Sequence, residues 1–396
     1  MRVFIFLTLP RNLAYSSHLL GAVCPARILR RAAKWPRGNG QSPLPPAVRP
    51  KDEPERGGCG ESQRWAQLPS LNARRAWCSA ISQCAHSRAH KKIKTLKISI
   101  SYERSTPMPA CITHNLFARD VLARLRESVD ECACFWGAQG PDFLFCHRYF
   151  QSALKKTGAS LKEYGSALHR DPPSATLNAM RDFLSRHSDP SYRSYVLGFL
   201  CHYALDSTAH PFVNARAREL AERRPGENPS TMHGEIEASL DAIVLRWKTG
   251  KLPSEVKLGD MFPKNEGAQR KIACLYQDVL STVYGAQVSQ EELYQATKDA
   301  HFVFACCTDR TGLKRGLFRV IEKGRPSYVA SHLVPITEDP EEDFANLSHE
   351  SWTWEGTRRD RDFFQLYEEA LDLAELLWKR FDTGDFASLT QERPFG

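Results

Sequence analysis

The stretch YVLGFLCHYALDSTAHPFVNARARELAERRPGENPSTMHGEIE, Tyr195–Glu237, decides how the chain is read. Its first half is apolar enough for a buried helix, yet it carries His202, Asp206 and His210 at steps of four. At about 100° per residue, positions four and eight apart drift by about 40° and 80°, so the three groups share one helix face. A second short helix is expected to offer His233 and Glu237, again four apart. Imidazoles and carboxylates paired on inward helix faces are how a helical bundle builds a metal site in its core. Each His taken singly reads as a satisfied core residue. The set does not, because an Asp inside GFLCHYALDSTAHPF is costly unless it is paired or metal-bound.

Outward from this stretch the pattern is nearly all helical, and strand-like alternation is weak. Apolar residues at helical spacing predict helices over 115–134, 160–169, 174–187, 268–284, 290–307 and 360–381. Between the first two, WGAQGPDFLFCHRYF supplies a Gly/Pro turn and an aromatic run beginning at Asp142. Ser191 is the expected N-cap of the central helix, and Pro211 is expected to end or kink it after His210. Residues 333–360 read as an irregular connector pinned by its two Trp, or as a rim over a pocket.

Charge divides the 396-residue chain. Residues 1–107 hold 19 Lys/Arg against 5 Asp/Glu; from totals of 54 and 46, this leaves 35 against 41 for residues 108–396. A basic leader therefore precedes a mildly acidic body, which offers no general nucleic-acid surface. The leader is rich in Arg, Pro and Gly without period and buries too little apolar surface to offset its chain entropy. It is expected to be disordered. Glu103-Arg104-Ser105 can be encoded by GAAAGGAGT, a bacterial ribosome-binding sequence, so translation is expected to start at Met108 and the product to be cytoplasmic. The alternative is a basic arm or targeting segment, with secretion.

Twelve Cys include no CxxC pair and mostly sit among apolar neighbours, as small buried hydrophobes. Cys111, three residues before His114, is a minor candidate ligand. No apolar run reaches the length of a membrane span.

With THNLFA at 113–118, GAQGPDFLF at 137–145, HYALDSTAH at 202–210 and HGEIE at 233–237, the body resembles the bacterial zinc-dependent phospholipase C family. That family shares its all-α fold with the S1/P1-type zinc nucleases. The resemblance implies a multi-helix bundle with a core over 108–250, extended by helices over 251–396. It implies a cluster of two or three zinc ions. Asp142, His169 and His202 would hold the first, with His147 the competitor to His169. Asp206 would bridge to a neighbouring zinc that also takes His114. His210, His233 and Glu237 would hold the remaining one, and Asp142 would double as general base.

In secreted relatives the zinc at the first His is also held by a mature N-terminal Trp. No Trp lies just before His114, and Pro109 would be the free amine of a chain trimmed at Met108.

Histidine and carboxylate ligands suit zinc, whereas an all-oxygen set would suggest magnesium or calcium. Closely spaced zinc ions suit phosphodiester hydrolysis by activating water and stabilising the phosphoryl oxygens. The implied activity is cleavage of a phospholipid phosphodiester, with transient contact to a membrane surface. A nuclease or other phosphodiesterase is the alternative, although no stable nucleic-acid complex is expected. A non-catalytic, zinc-stabilised helical protein is the third reading. Asp241 and Tyr203 are candidates to orient the imidazoles through their second ring nitrogens.

Overall fold

The computed structural model describes residues 111–149 and 160–396. The leader, the Met108 start and the Pro109 amine lie outside the described residues. What is described is mostly helical, as the periodicity predicts.

The central helix α5 (Pro190–Arg223) is the longest among the described residues, and six other helices pack against it. Asp189, not Ser191, is its N-cap: the Asp189 carboxylate accepts from Ser191 N, and Pro190 at the first helical position has no N–H to leave unpaired. Pro211 does not end the helix, which continues to Arg223. A proline removes one helical donor, but Phe212, Val213, Ala217 and Leu220 beyond it are all buried. Their burial, at about 1.5–3 kcal/mol for each large side chain, outweighs that loss.

The helix expected over 115–134 is two: α1 (Cys111–Leu125) and α2 (Glu131–Ala138). Arg126 takes the left-handed conformation at φ 56°, and Asp130 caps the second helix by accepting from Ala133 N. Helix α2 lies backbone to backbone against α5. A Cβ at Gly137 would stand 2.0 Å from the Tyr195 carbonyl oxygen, and one at Gly198 would stand 2.0 Å from that of Cys134. Two glycines on facing helices thus permit a crossing that any larger residue would force apart.

The helix that carries His233 and Glu237 is not short. Helix α6 runs over Pro229–Thr249, opened by a capping box between Asn228 and Thr231 and closed by Gly250 in the left-handed conformation. One turn past Glu237, Asp241 reaches across to α1. Its carboxylate accepts from Thr113 N and Thr113 Oγ1, both at 2.7 Å, and from Ile112 N at 3.1 Å. The first turn of α1, and with it the register of His114, is pinned to α6.

Five helices follow the predicted segments closely: α3 (Lys162–Arg170), α4 (Pro173–Arg186), α7 (Glu266–Tyr284), α8 (Gln290–Cys307) and α10 (Phe363–Lys379). Periodicity missed α9 (Leu313–Ile321), the short α11 (Phe386–Thr390) and a hairpin of β1 (Trp352–Trp354) with β2 (Thr357–Arg359) inside the connector. Trp352 pins that hairpin, packing on Phe212 and donating Nε1–H to the Arg361 carbonyl. One buried core runs from Cys111 to Phe395, drawing on residues both before and after position 251.

Candidate metal centre

Five imidazoles and three carboxylates converge beneath α5. Their ligand atoms form three groups: His114 with His202 and Asp206; Asp142 with His169 and His202; and His210 with His233 and Glu237. Within each group the atoms lie within 4.8 Å of one another. Asp206 stands at the centre. Its Oδ1 is 3.1 Å from His114 Nε2 and 3.8 Å from His210 Nε2. Its Oδ2 is 3.2 Å from His202 Nε2 and 3.9 Å from His169 Nε2. A carboxylate with one oxygen facing each way is placed to join neighbouring cation positions.

Each group is set by a different local device. Helical spacing of four puts His202, Asp206 and His210 on one face of α5, and His233 and Glu237 on one face of α6. Asp142 opens a 3-10 turn, Asp142–Cys146, after a bend at Gly140. Gly140 has φ +52°, and a Cβ there would stand 2.1 Å from His202 Cδ2, so only glycine leaves room for that imidazole. Asp142 Oδ1 lies 3.0 Å from His169 Nε2, at the end of α3.

His147 points elsewhere: its Nδ1 accepts from Leu161 N, and it joins none of the three groups. Cys111 is buried and joins none either; burial pushes its thiol pKa well up, against the thiolate a ligand must supply.

The orienting partners are not those expected. Tyr203 donates to the Arg393 carbonyl and Asp241 holds backbone of α1, so neither touches an imidazole. Instead His169 Nδ1 lies 2.8 Å from the Gly165 carbonyl, His210 Nδ1 is 2.7 Å from the Phe395 carbonyl, and His233 Nδ1 is 2.9 Å from Asn214 Oδ1. A carbonyl oxygen only accepts, so these Nδ1 atoms carry the proton and each Nε2 presents a lone pair inward. Asn214 is four residues past His210 on the same helix, a signal legible in the sequence. Gly165 is likewise four residues before His169 on α3. Phe395 had no such signal. Its fully buried ring lies against His169, His202 and Tyr203, and its N–H donates to the His169 carbonyl.

The family model described as zinc dependent phospholipase C matches residues 113–286. That region is a domain of the zinc-dependent phospholipase C family. No curated protein and no solved structure matches the chain. All eight donors fall within the matched phospholipase C family region, whereas Phe395 lies outside it.

The donors fit a metal on the geometry of this chain. His114 Nδ1, both ring nitrogens of His202, His233 Nε2, Asp142 Oδ1 and Glu237 Oε2 are buried without a hydrogen-bond partner. One ion-pair contact looks like a partner for Asp142 Oδ1, namely His169 Nε2 at 3.0 Å. With the His169 proton on Nδ1, however, two lone pairs face each other there. They attract only with a cation or a second proton between them. Among the described residues, the ion-pair partners of Asp142, Asp206 and Glu237 are all imidazoles, so no Lys or Arg supplies the balancing charge.

Electrostatics hold Asp206 and Glu237 as anions. Burial alone would raise Asp206, but His202, His210 and His114 hold it well below the ordinary carboxylate range. Burial likewise opposes ionisation of Glu237, and His233 and His210 bring it down to about 2. Burial dominates at His202 and lowers it to about 4, so its imidazole is neutral at pH 7. At His210 burial is outweighed by Asp206 and Glu237, which push it up to about 10. With Nδ1 already donating to the Phe395 carbonyl, the added proton of metal-free His210 sits on Nε2, from which a bound cation would displace it. The match of residues 113–286 to the zinc dependent phospholipase C family model and these buried donors together support a zinc-dependent hydrolase.

Proposed function

We propose that this chain hydrolyses the phosphodiester of a phospholipid on its glycerol side, using two or three zinc ions held by His114, Asp142, His169, His202, Asp206, His210, His233 and Glu237. The observation that carries the reading is the set of inward-facing, unpartnered Nε2 and carboxylate atoms gathered around Asp206. Zinc bound there would supply Lewis acidity for a water nucleophile and for charge building on the phosphoryl oxygens.

The chain's own groups do the rest. The Gly165 and Phe395 carbonyls and Asn214 hold three imidazoles in one tautomer, so that Nε2 needs no reorganisation to ligate. Asp206 keeps its charge at neutral pH and sets the separation of the groups on either side of it. Asp142, buried beside His169 and His202, is the proposed proton acceptor for the attacking water. Phospholipid is favoured over nucleic acid by the family to which the domain belongs and by the acidic balance of residues 108–396.

The test is a parallel assay of the zinc-loaded full chain on phosphatidylcholine, single-stranded DNA and bis-p-nitrophenyl phosphate. Diacylglycerol and a phosphorylated headgroup are expected from the lipid. Asp206→Asn is expected to abolish turnover and to lower the zinc content. Cleavage of DNA with no lipid product would replace the phospholipase reading by a nuclease. Full zinc content with all three substrates intact would leave a zinc-stabilised helical protein.

A further inference from the structure

Helix α9, LKRGLFRVI over Leu313–Ile321, is turned inside out. At about 100° per residue, Leu313, Leu317, Val320 and Ile321 fall within an arc of about 100°. All four face solvent, with 75%, 59%, 72% and 47% of their surfaces exposed. Arg315, roughly opposite them, is the buried residue of the helix, at 7%. Its guanidinium pairs with Glu235 at 2.5 Å and also donates to the Leu333 carbonyl. Arg319 joins the same carboxylate at 3.0 Å. Glu235 belongs to α6, between the ligands His233 and Glu237 in sequence, so α9 is braced against the ligand-bearing helix. Turning the leucines inward would bury apolar surface and spare the desolvation of a guanidinium and a carboxylate. The fold keeps the opposite arrangement, and four large apolar side chains stay in water on one helix.

Charge around this face has one sign. Residues 310–325 hold six Lys/Arg and a single acid, Glu322, within a body that is otherwise acidic. Glu322 is engaged internally, accepting from Val329 N and Ala330 N. Lys314 is engaged as well, donating Nζ–H to the carbonyls of Cys306 and Thr308 at the end of α8. Lys323 and Arg325 stand exposed just beyond the helix. Among the described residues no helix is long and apolar enough to cross a membrane, so their contact with lipid would run along its surface.

We propose that α9 is a docking helix for an anionic phospholipid bilayer. Leu313, Leu317, Val320 and Ile321 enter the boundary between headgroups and acyl chains, and Lys323 and Arg325 contact the anionic headgroups. A helix with an apolar arc and flanking basic residues binds such an interface by both terms together. The choice of a lipid surface over another protein rests on the phospholipase reading above. Residues 313–325 lie beyond the stretch matched to the family, so this surface belongs to the chain's own extension.

The test measures co-sedimentation of the full chain with phosphatidylcholine vesicles, with and without phosphatidylglycerol. The full chain carries the basic residues 1–107 in every variant, so their contribution cancels. Leu317→Glu/Val320→Glu is expected to lower the partition coefficient at least tenfold on both vesicle types. Lys323→Glu/Arg325→Glu is expected to weaken binding to the anionic vesicles at least tenfold, at about fivefold or more per basic residue, and to change binding to the neutral ones little. Both variants alter exposed side chains, and are expected to keep the zinc content and the turnover of a monomeric short-chain substrate.

Vesicle binding that depends on α9, in a protein that cleaves no lipid, would uphold the docking helix and overturn the phospholipase reading. Cleavage of monomeric phospholipid with vesicle binding unchanged in both variants would overturn the docking helix alone. A dimer in solution that Leu317→Glu/Val320→Glu converts to a monomer would also overturn it, assigning the face to a second copy.

Discussion

Replacing Gly140 by alanine probes the metal centre with a single methyl group. Two costs follow from the geometry. The backbone at φ +52° suits glycine, and an L-residue there loses about 1–2 kcal/mol. The added Cβ would also lie 2.1 Å from His202 Cδ2 and 2.5 Å from Cγ and Nε2, where carbon contacts need about 3.5 Å. The ring must therefore retreat by more than about 1 Å, while metal–ligand distances tolerate only about 0.2 Å. Because His202 belongs to two of the three donor groups, both are disturbed together. Zinc retained after gel filtration is expected to fall by at least one ion per chain, with affinity lowered at least tenfold. Gly285→Ala is the control: it has φ +65° with nothing within 4 Å of the added Cβ, so it bears the backbone cost alone. That variant is expected to lose about 1–2 kcal/mol in urea denaturation with full zinc content. Equal zinc content and affinity in Gly140→Ala and wild type would refute the claim that His202 is a ligand held in place by this turn.

Two further outcomes follow. In metal-free protein His210 titrates near 10 instead of its ordinary 6.5, so its contribution to stability is complete below about 6.5 and is lost as pH rises through 10. The melting temperature in chelator is expected to fall from pH 7 to 10. The stabilisation by zinc is expected to grow over the same range, because ligation displaces that proton; a flat profile in chelator would refute this assignment. Phe395→Ala removes a fully buried ring packed on His169, His202 and Tyr203. It is expected to cost about 3–5 kcal/mol of stability and to lower zinc affinity about 10–100-fold, measured by chemical denaturation and chelator competition. Unchanged affinity would mean that the ring supports the fold without orienting the ligands.

Much of the site was legible because its information is local. Steps of four in HYALDSTAH and HGEIE place five donors on two helix faces whatever surrounds them, since the helical repeat alone does it. The helical spacing of apolar residues likewise located most helices to within a few residues. Where local signals failed, a tertiary contact had overridden them. Pro211 stays helical because both flanks are buried. The nine residues of α9 do carry apolar residues at helical spacing, and what the fold decided is that this arc faces outward while Arg315 is held inside by Glu235. His169 prevailed over His147 only through the packing of α3 beside the Asp142 turn.

Residue spacing is enough to show that the body is helical and that its central helices carry paired imidazoles and acids. Periodicity is a property of neighbours along the chain, and it survives without knowledge of the fold. Folding alone sets Asp206 between the donor groups, and brings up a phenylalanine 185 residues beyond His210 to supply the carbonyl fixing its tautomer. Such partners come together through packing, and no spacing along the chain encodes a contact made across the core.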